Sequence, residues 1–126
     1  MKRLMISLSL LMAATPVFAG WTLLQETHEG ILYIDRDGAE KTASGWRVDS
    51  SQDFHKQQVR DGKEYLSAKS RYELDCNAKK VRTLGVELFA ENMAGGEAVH
   101  AEKNAGDWSV PQKGSPAEQI FNSLCR

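Results

Sequence analysis

The chain has 126 residues, 41% of them apolar, with 16 Lys and Arg against 17 Asp and Glu for a formal net charge of −1. That length holds one small core and no second, and the absence of a basic excess argues against phosphate-driven nucleic-acid binding. The longest apolar run, about 11 residues near the N terminus and broken by Ser7 and Ser9, falls short of the about 20 that a bilayer crossing needs, so no membrane span is expected in the mature chain.

Met1-Lys2-Arg3, the apolar stretch Leu4 to Ala14, then Pro16 and Val17-Phe18-Ala19 ahead of Gly20 have the form of a secretory signal peptide. The chain therefore reads as a signal over residues 1–19 and a single domain over residues 20–126. Losing Lys2 and Arg3 leaves 14 basic against 17 acidic residues, a charge of −3. Lys79, Lys80 and Arg82 cluster, but behind Asp75 they read as a polar strand end. Export places Cys76 and Cys125, the two cysteines of the chain, where a disulfide persists.

Short turn signals between β-rich stretches predict an antiparallel sheet. Trp21 to Thr27 and Ile31 to Asp35 form two strands joined across His28-Glu29-Gly30. A turn at Asp35-Arg36-Asp37-Gly38 leads to a third strand around Trp46 and Val48, and the polar Gln52 to Gly62 reads as a loop or a frayed strand extension. From Tyr65 to Cys76, Leu66, Ala68, Ser70, Tyr72, Leu74 and Cys76 alternate with Ser67, Lys69, Arg71, Glu73 and Asp75. One face is buried and the other wet, as in antiparallel sheets. In Val81 to Asn92, Leu84, Val86 and Leu88 share one face while Val81 and Phe89 take the other, with Gly85 marking a bulge. Ala94-Gly95-Gly96-Glu97 then turns the chain into Ala98 to Lys103.

The C-terminal segment changes period. Ser115-Pro116-Ala117-Glu118 combines a Ser N-cap, a proline in the first helical position and a Glu placed for a capping box. Ala117, Ile120, Phe121 and Leu124 make an i, i+3, i+4, i+7 stripe. A helix of about ten residues is marginal alone in water, so the sheet must hold it. The fold class is α+β: an antiparallel sheet of about five to six strands with a C-terminal helix packed on one face. Cys125 follows Phe121 by one helical turn and Cys76 points inward. A Cys76–Cys125 bridge is the reading, against the alternative of two free thiols.

No catalytic, cofactor-binding or metal site emerges. Asp35-Arg36-Asp37-Gly38 resembles the start of a calcium loop, but Ala39 and Trp46 stand where oxygen ligands are required, and a hairpin turn is preferred. His28, His55 and His100 lack metal-ligand spacing and read as solvent-exposed. No G-x-S-x-G elbow is present. Among the aromatic residues Trp21, Trp46, Trp108, Tyr33, Tyr65 and Tyr72, core packing is preferred for Trp46 and Tyr72. Trp108, in a loop near Gly106 and Pro111, is the candidate binding-surface residue.

Trp21, Ile31-Leu32-Tyr33-Ile34-Asp35, Ser70-Arg71-Tyr72-Glu73-Leu74-Asp75-Cys76, and Trp108 to Pro111 followed by Gly114-Ser115 and Leu124-Cys125 together resemble the surface-adhesin protein E family of exported proteobacterial proteins. The resemblance implies an antiparallel sheet with a helix packed on it. It also implies a non-enzymatic binding protein of the cell envelope without cofactors, whose partner is a protein of the host or of the envelope. Because position 20 is glycine rather than a lipid-bearing cysteine, the periplasm is the simplest address, with secretion or the cell surface as alternatives. The competing functions are a periplasmic inhibitor or accessory protein with one dedicated protein partner, and a small hydrolase or haem carrier, which needs side chains converging in one pocket. An exposed edge strand leaves a homodimer open.

Overall fold

The computed structural model describes residues 20–126, so the signal-peptide reading of residues 1–19 lies outside the described residues. Seven strands run through them: β1 (Trp21–Glu26), β2 (Gly30–Asp35), β3 (Glu40–Lys41), β4 (Gly45–Arg60), β5 (Lys63–Asp75), β6 (Lys80–Phe89) and β7 (Ala98–Glu102), followed by helix α1 (Pro116–Leu124). They pair antiparallel in the order β1-β2-β4-β5-β6-β7, with β3 pairing the early part of β4. β1 and β7 are thus the outer strands. Trp108-Ser109 extends the β7 side through a bridge between Ser109 and Val81.

The expectation of five to six strands is corrected to seven. β3 is a two-residue pairing, too short to leave an alternation. Of the two readings of Gln52 to Gly62, loop or strand extension, the structure selects the extension: β4 continues as far as Arg60, for 16 residues in all. Its polar side chains are tolerated because β4 draws backbone hydrogen bonds from neighbours on either side, β2 pairing Ser50 to Phe54 and β5 pairing Gly45 to Asp53 and Gln58 to Arg60. The hairpin closes at Asp61-Gly62, where φ is +50° and +76°, with Arg60 opposite Lys63. Two left-handed residues in sequence match the twist of the flanking strands, and Asp-Gly is among the pairs that accept them most readily. Between Asp53 and Gln58 the register slips, five steps on β4 facing two on β5, from Ser67 to Tyr65.

On β6 the structure places a bulge where Gly85 predicted one. Gly85 lies opposite Arg71 and Thr83 opposite Tyr72, leaving Leu84 unpaired. This extra residue reverses the alternation. Val81, opposite Leu74, and Leu88, opposite Ala68, therefore end on the same buried face rather than on opposite faces.

The helix lies on that face. Leu32, Ile34, Val48, Leu74, Val81 and Ile120 form the core, with Leu24, Trp46, Tyr72, Ala117, Phe121 and Leu124 packed around it. Leu24 reaches it because β1 has its own irregularity between Leu23 and Gln25. Ser115 Oγ accepts from Glu118 N at 3.2 Å, and Pro116 occupies the first turn, as expected. The reciprocal bond is displaced by one residue, Glu118 Oε1 accepting from Gly114 N at 3.1 Å. Cys125 caps the helix and is bonded to Cys76 across a separation of 49 residues, with Cα atoms 5.3 Å apart. Arg36 donates to Ser123 Oγ at 2.6 Å, a second tie between helix and sheet.

Candidate binding face

Among the described residues, the face opposite α1 has no second layer. Its side chains follow from the register: Leu23, Tyr33, Ser51, Lys69 and Glu87 line up across β1, β2, β4, β5 and β6, and Arg47, Glu73 and Arg82 across β4, β5 and β6. Three environments result.

The first is a cleft of about 570 Å³ lined by Trp21, Leu23, Tyr33, Ser51, Lys69, Met93 and Ala94. Its outer wall is the loop between β6 and β7. Met93 and Ala94 both adopt left-handed backbone, φ +56° and +57°, which costs a residue with a Cβ roughly 1–2 kcal/mol. Hydrogen bonds hold them there: Asp53 Oδ1 accepts from Met93 N at 2.9 Å and from Asn92 Nδ2 at 2.8 Å, and Ser67 Oγ accepts from Ala94 N at 2.9 Å while donating to Glu91 O at 2.6 Å. Ser67, expected on the wet face, is fully buried because this loop folds over it.

The second environment is a charge ladder. Glu73 accepts from Arg47 Nε at 2.9 Å and from an Arg82 terminal nitrogen at 3.0 Å. Arg71 lies 3.5 Å from Glu40 and 3.9 Å from Asp49. The hydrogen bond from Arg47, then that from Arg82, holds the Glu73 carboxyl below the usual carboxylate range against the opposing effect of its burial. Arg47 is raised by the same pairing.

The third is Trp108. Arg82 stacks on its ring, 4.7 Å from the centroid, and the backbone is fixed by hydrogen bonds exchanged between Val81 and Ser109 and by Gly106 N donating to Thr83 O. The residue remains 37% exposed. Arg82 Nε is buried without a hydrogen-bond partner among the described residues.

The other aromatic residues divide as their strands dictate. Trp46 and Tyr72 pack against the core, as expected, and burial pushes the Tyr72 phenol up while Ser70 pulls it the other way. Tyr65 meets Phe54 edge to face at 5.8 Å. Trp21 and Tyr33 turn to the open face and meet Leu23 and Met93, which sequence reasoning passed over. A signal existed for part of this. Ile31-Leu32-Tyr33-Ile34 is apolar without interruption, so both faces of β2 had to be apolar. Nothing local marked Met93. His28 and His55 are exposed as expected, but His100 is half-buried opposite Leu88, its Nε2 without a partner among the described residues. The register puts it on the core side of β7.

A strongly paired antiparallel sheet, roofed on one side by a disulfide-fastened helix and, among the described residues, open on the other, defines a small α+β domain. The chain belongs to the surface-adhesin protein E family, whose model matches residues 21–126. Two structures of Haemophilus influenzae protein E share the fold. Crystal form II superposes with a TM-score of 0.64 at 12% identity, over 86% of this chain and 89% of that one. The other gives 0.57 at 16%, over 85% and 86%. No curated protein matches the chain.

Proposed function

We propose that the protein is a non-enzymatic binding protein of the cell envelope, exported by the signal in residues 1–19 and acting as one domain from Gly20 onward, with a protein as its partner. The carrying observation is the Trp108–Arg82 stack on the face opposite α1, which no helix of the described residues covers. Trp and Arg are the side chains most enriched where binding energy concentrates. Here the guanidinium is already oriented by Glu73 and the ring by the guanidinium, so little side-chain freedom is lost on docking. The ladder of Arg47, Glu73, Arg71, Glu40 and Asp49 beside it sets which partner charges are accepted. Membership of an adhesin family supports the reading, as does a disulfide that an oxidising compartment preserves.

The test is capture of partners from envelope extract and from purified host matrix proteins, using the exported protein and Trp108→Ala in parallel. A protein retained by the parent and lost with Trp108→Ala is expected. Retention indifferent to that substitution, or no partner from either source, refutes the assignment. A partner from envelope extract alone selects a dedicated periplasmic role over adhesion.

A further inference from the structure

β1 is an outer strand of the sheet, and its hydrogen bonds to β2 decide which of its backbone groups are free. Arg36 N donates to Gly20 O at 3.1 Å, and at the hairpin end Thr27 and Gly30 exchange two bonds, of 2.9 and 3.2 Å. Bonded and non-bonded positions alternate along an antiparallel pair. Counting inward from Gly20 therefore puts Trp21 and Leu23 at non-bonded positions, with N–H and C=O turned away from β2. No backbone partner meets these groups among the described residues. The same two residues line the cleft of about 570 Å³ together with Tyr33 and Met93. Leu23 is 49% exposed there and Met93 51%. Unmet strand hydrogen bonds and an apolar wall thus coincide at Trp21 and Leu23.

Charge selects the occupant. From Gly20 to Gly38 the chain carries Glu26, Glu29, Asp35 and Asp37 against Arg36 as its one Lys or Arg, and Arg36 is tied to Ser123 of α1. The four carboxylates enter no ion pair among the described residues. Lys69, on the cleft floor, is answered by Glu87 directly across from it in the register, with Asp49 and Glu102 in the adjoining hollow. A second copy of the chain would bring the same acids to the same edge, whereas a cationic partner complements them.

We propose that β1 takes up an extended, basic peptide segment of a partner protein as an added strand. Two residues of the segment, two positions apart, exchange backbone bonds with Trp21 and Leu23. Directly paired residues of adjoining strands share a face, so the side chains of these two lie over the cleft and are large and apolar. The next residue on that face at either end is Lys or Arg, near Glu26 on one side and near Asp35 and Asp37, which crowd Gly20, on the other. This edge is separate from the Trp108 docking surface, which lies beyond β6 at the other side of the sheet.

Fluorescence anisotropy of a labelled Lys-Thr-Leu-Thr-Leu-Thr-Lys peptide, blocked at both ends, tests this on the exported protein. Binding is expected to saturate at one peptide per chain. N-methylation of the two leucine nitrogens removes the donors aimed at β1 and should weaken binding about a hundredfold, roughly tenfold per bond. N-methylation of the threonine between them, whose N–H points away from β1, should cost far less. Glu in place of both Lys should weaken binding about tenfold at low salt, and high salt should narrow the difference. Leu23→Pro deletes an outward N–H while sparing the pairing of Thr22 with Ile34, and Leu23→Thr keeps the strand but removes the apolar contact; each should weaken binding about tenfold. Val59→Ser, on the exposed β4–β5 hairpin, should bind as the parent does. Far-ultraviolet circular dichroism establishes that each variant is folded. Absence of saturation, undiminished binding of the leucine-methylated peptide, or equal binding of the acidic peptide would each overturn the proposal. So would sedimentation equilibrium showing a parent dimer that Leu23→Pro separates, since a second copy would then hold the edge.

Discussion

The two faces of the sheet are made by the same strands, one residue out of phase, yet they are held in different ways. On the helix side Ile34, Leu74 and Ile120 are fully buried, and the contact is sealed by the Cys76–Cys125 bond. On the open side the side chains are arranged by one another: arginines on carboxylates, Arg82 on Trp108, and the Met93 loop on Asp53 and Ser67. Stability is thus concentrated on one face, which leaves the other free to carry exposed apolar groups that a core would have absorbed.

The comparison breaks most sharply at the disulfide. Replacing Cys76 and Cys125 together by serine should cost about 4 kcal/mol, since closing a loop of 49 residues removes that much denatured-state entropy. Urea unfolding of both forms measures it, and a loss under about 1 kcal/mol would mean that packing alone holds α1. Ile120→Ala comes next. It empties the centre of the covered face and should cost about 3 kcal/mol, within the range for buried aliphatic truncations.

Glu73→Gln addresses the open face and should cost on the order of 1 kcal/mol, a figure kept small because Arg47 is half-exposed. It also carries a pH signature. The Glu73 carboxyl is depressed in the folded state, so its contribution is complete above the ordinary carboxylate range and fades as pH falls through the lowered folded value. Acid titration of stability should therefore be shallower in Glu73→Gln than in the parent. Leu23→Ala should change stability least, by about 0.5 kcal/mol or less, because the side chain is half in water already. If it matched Ile120→Ala, the open face would be a second core and the contrast between the faces would fail.

The covered face was legible in the sequence, and the open one much less so. Tyr65 to Cys76 alternates because burial on one side selects apolar residues at every second position, and Ser115-Pro116-Ala117-Glu118 announces the helix through local capping chemistry. The length of β4 stayed open between loop and strand extension because its distal half pairs through backbone groups, which leave no mark on side-chain choice. Asp61-Gly62 did mark the hairpin, and weighing that dipeptide above the polarity of Gln52 to Arg60 would have recovered the strand. Leu84 and Gly85 show a related effect: the glycine located the bulge, but not that Val81 would thereby join the core. At the candidate site, Trp108 was singled out as the one aromatic residue in a loop. The cleft depends on Met93 arriving from a distant turn held by Asp53, a contact 40 residues apart with no local pattern.

The bond between Cys76 and Cys125 makes a covalent ring of everything between them, taking in β6, β7, the Trp108 segment and α1. A protease that severs the exposed Lys103-Asn104-Ala105 stretch would open that ring without releasing a fragment. The nicked molecule would migrate as one species until a reductant is added, so damage in the extracytoplasmic space would leave Trp108 still tethered to the body that presents it.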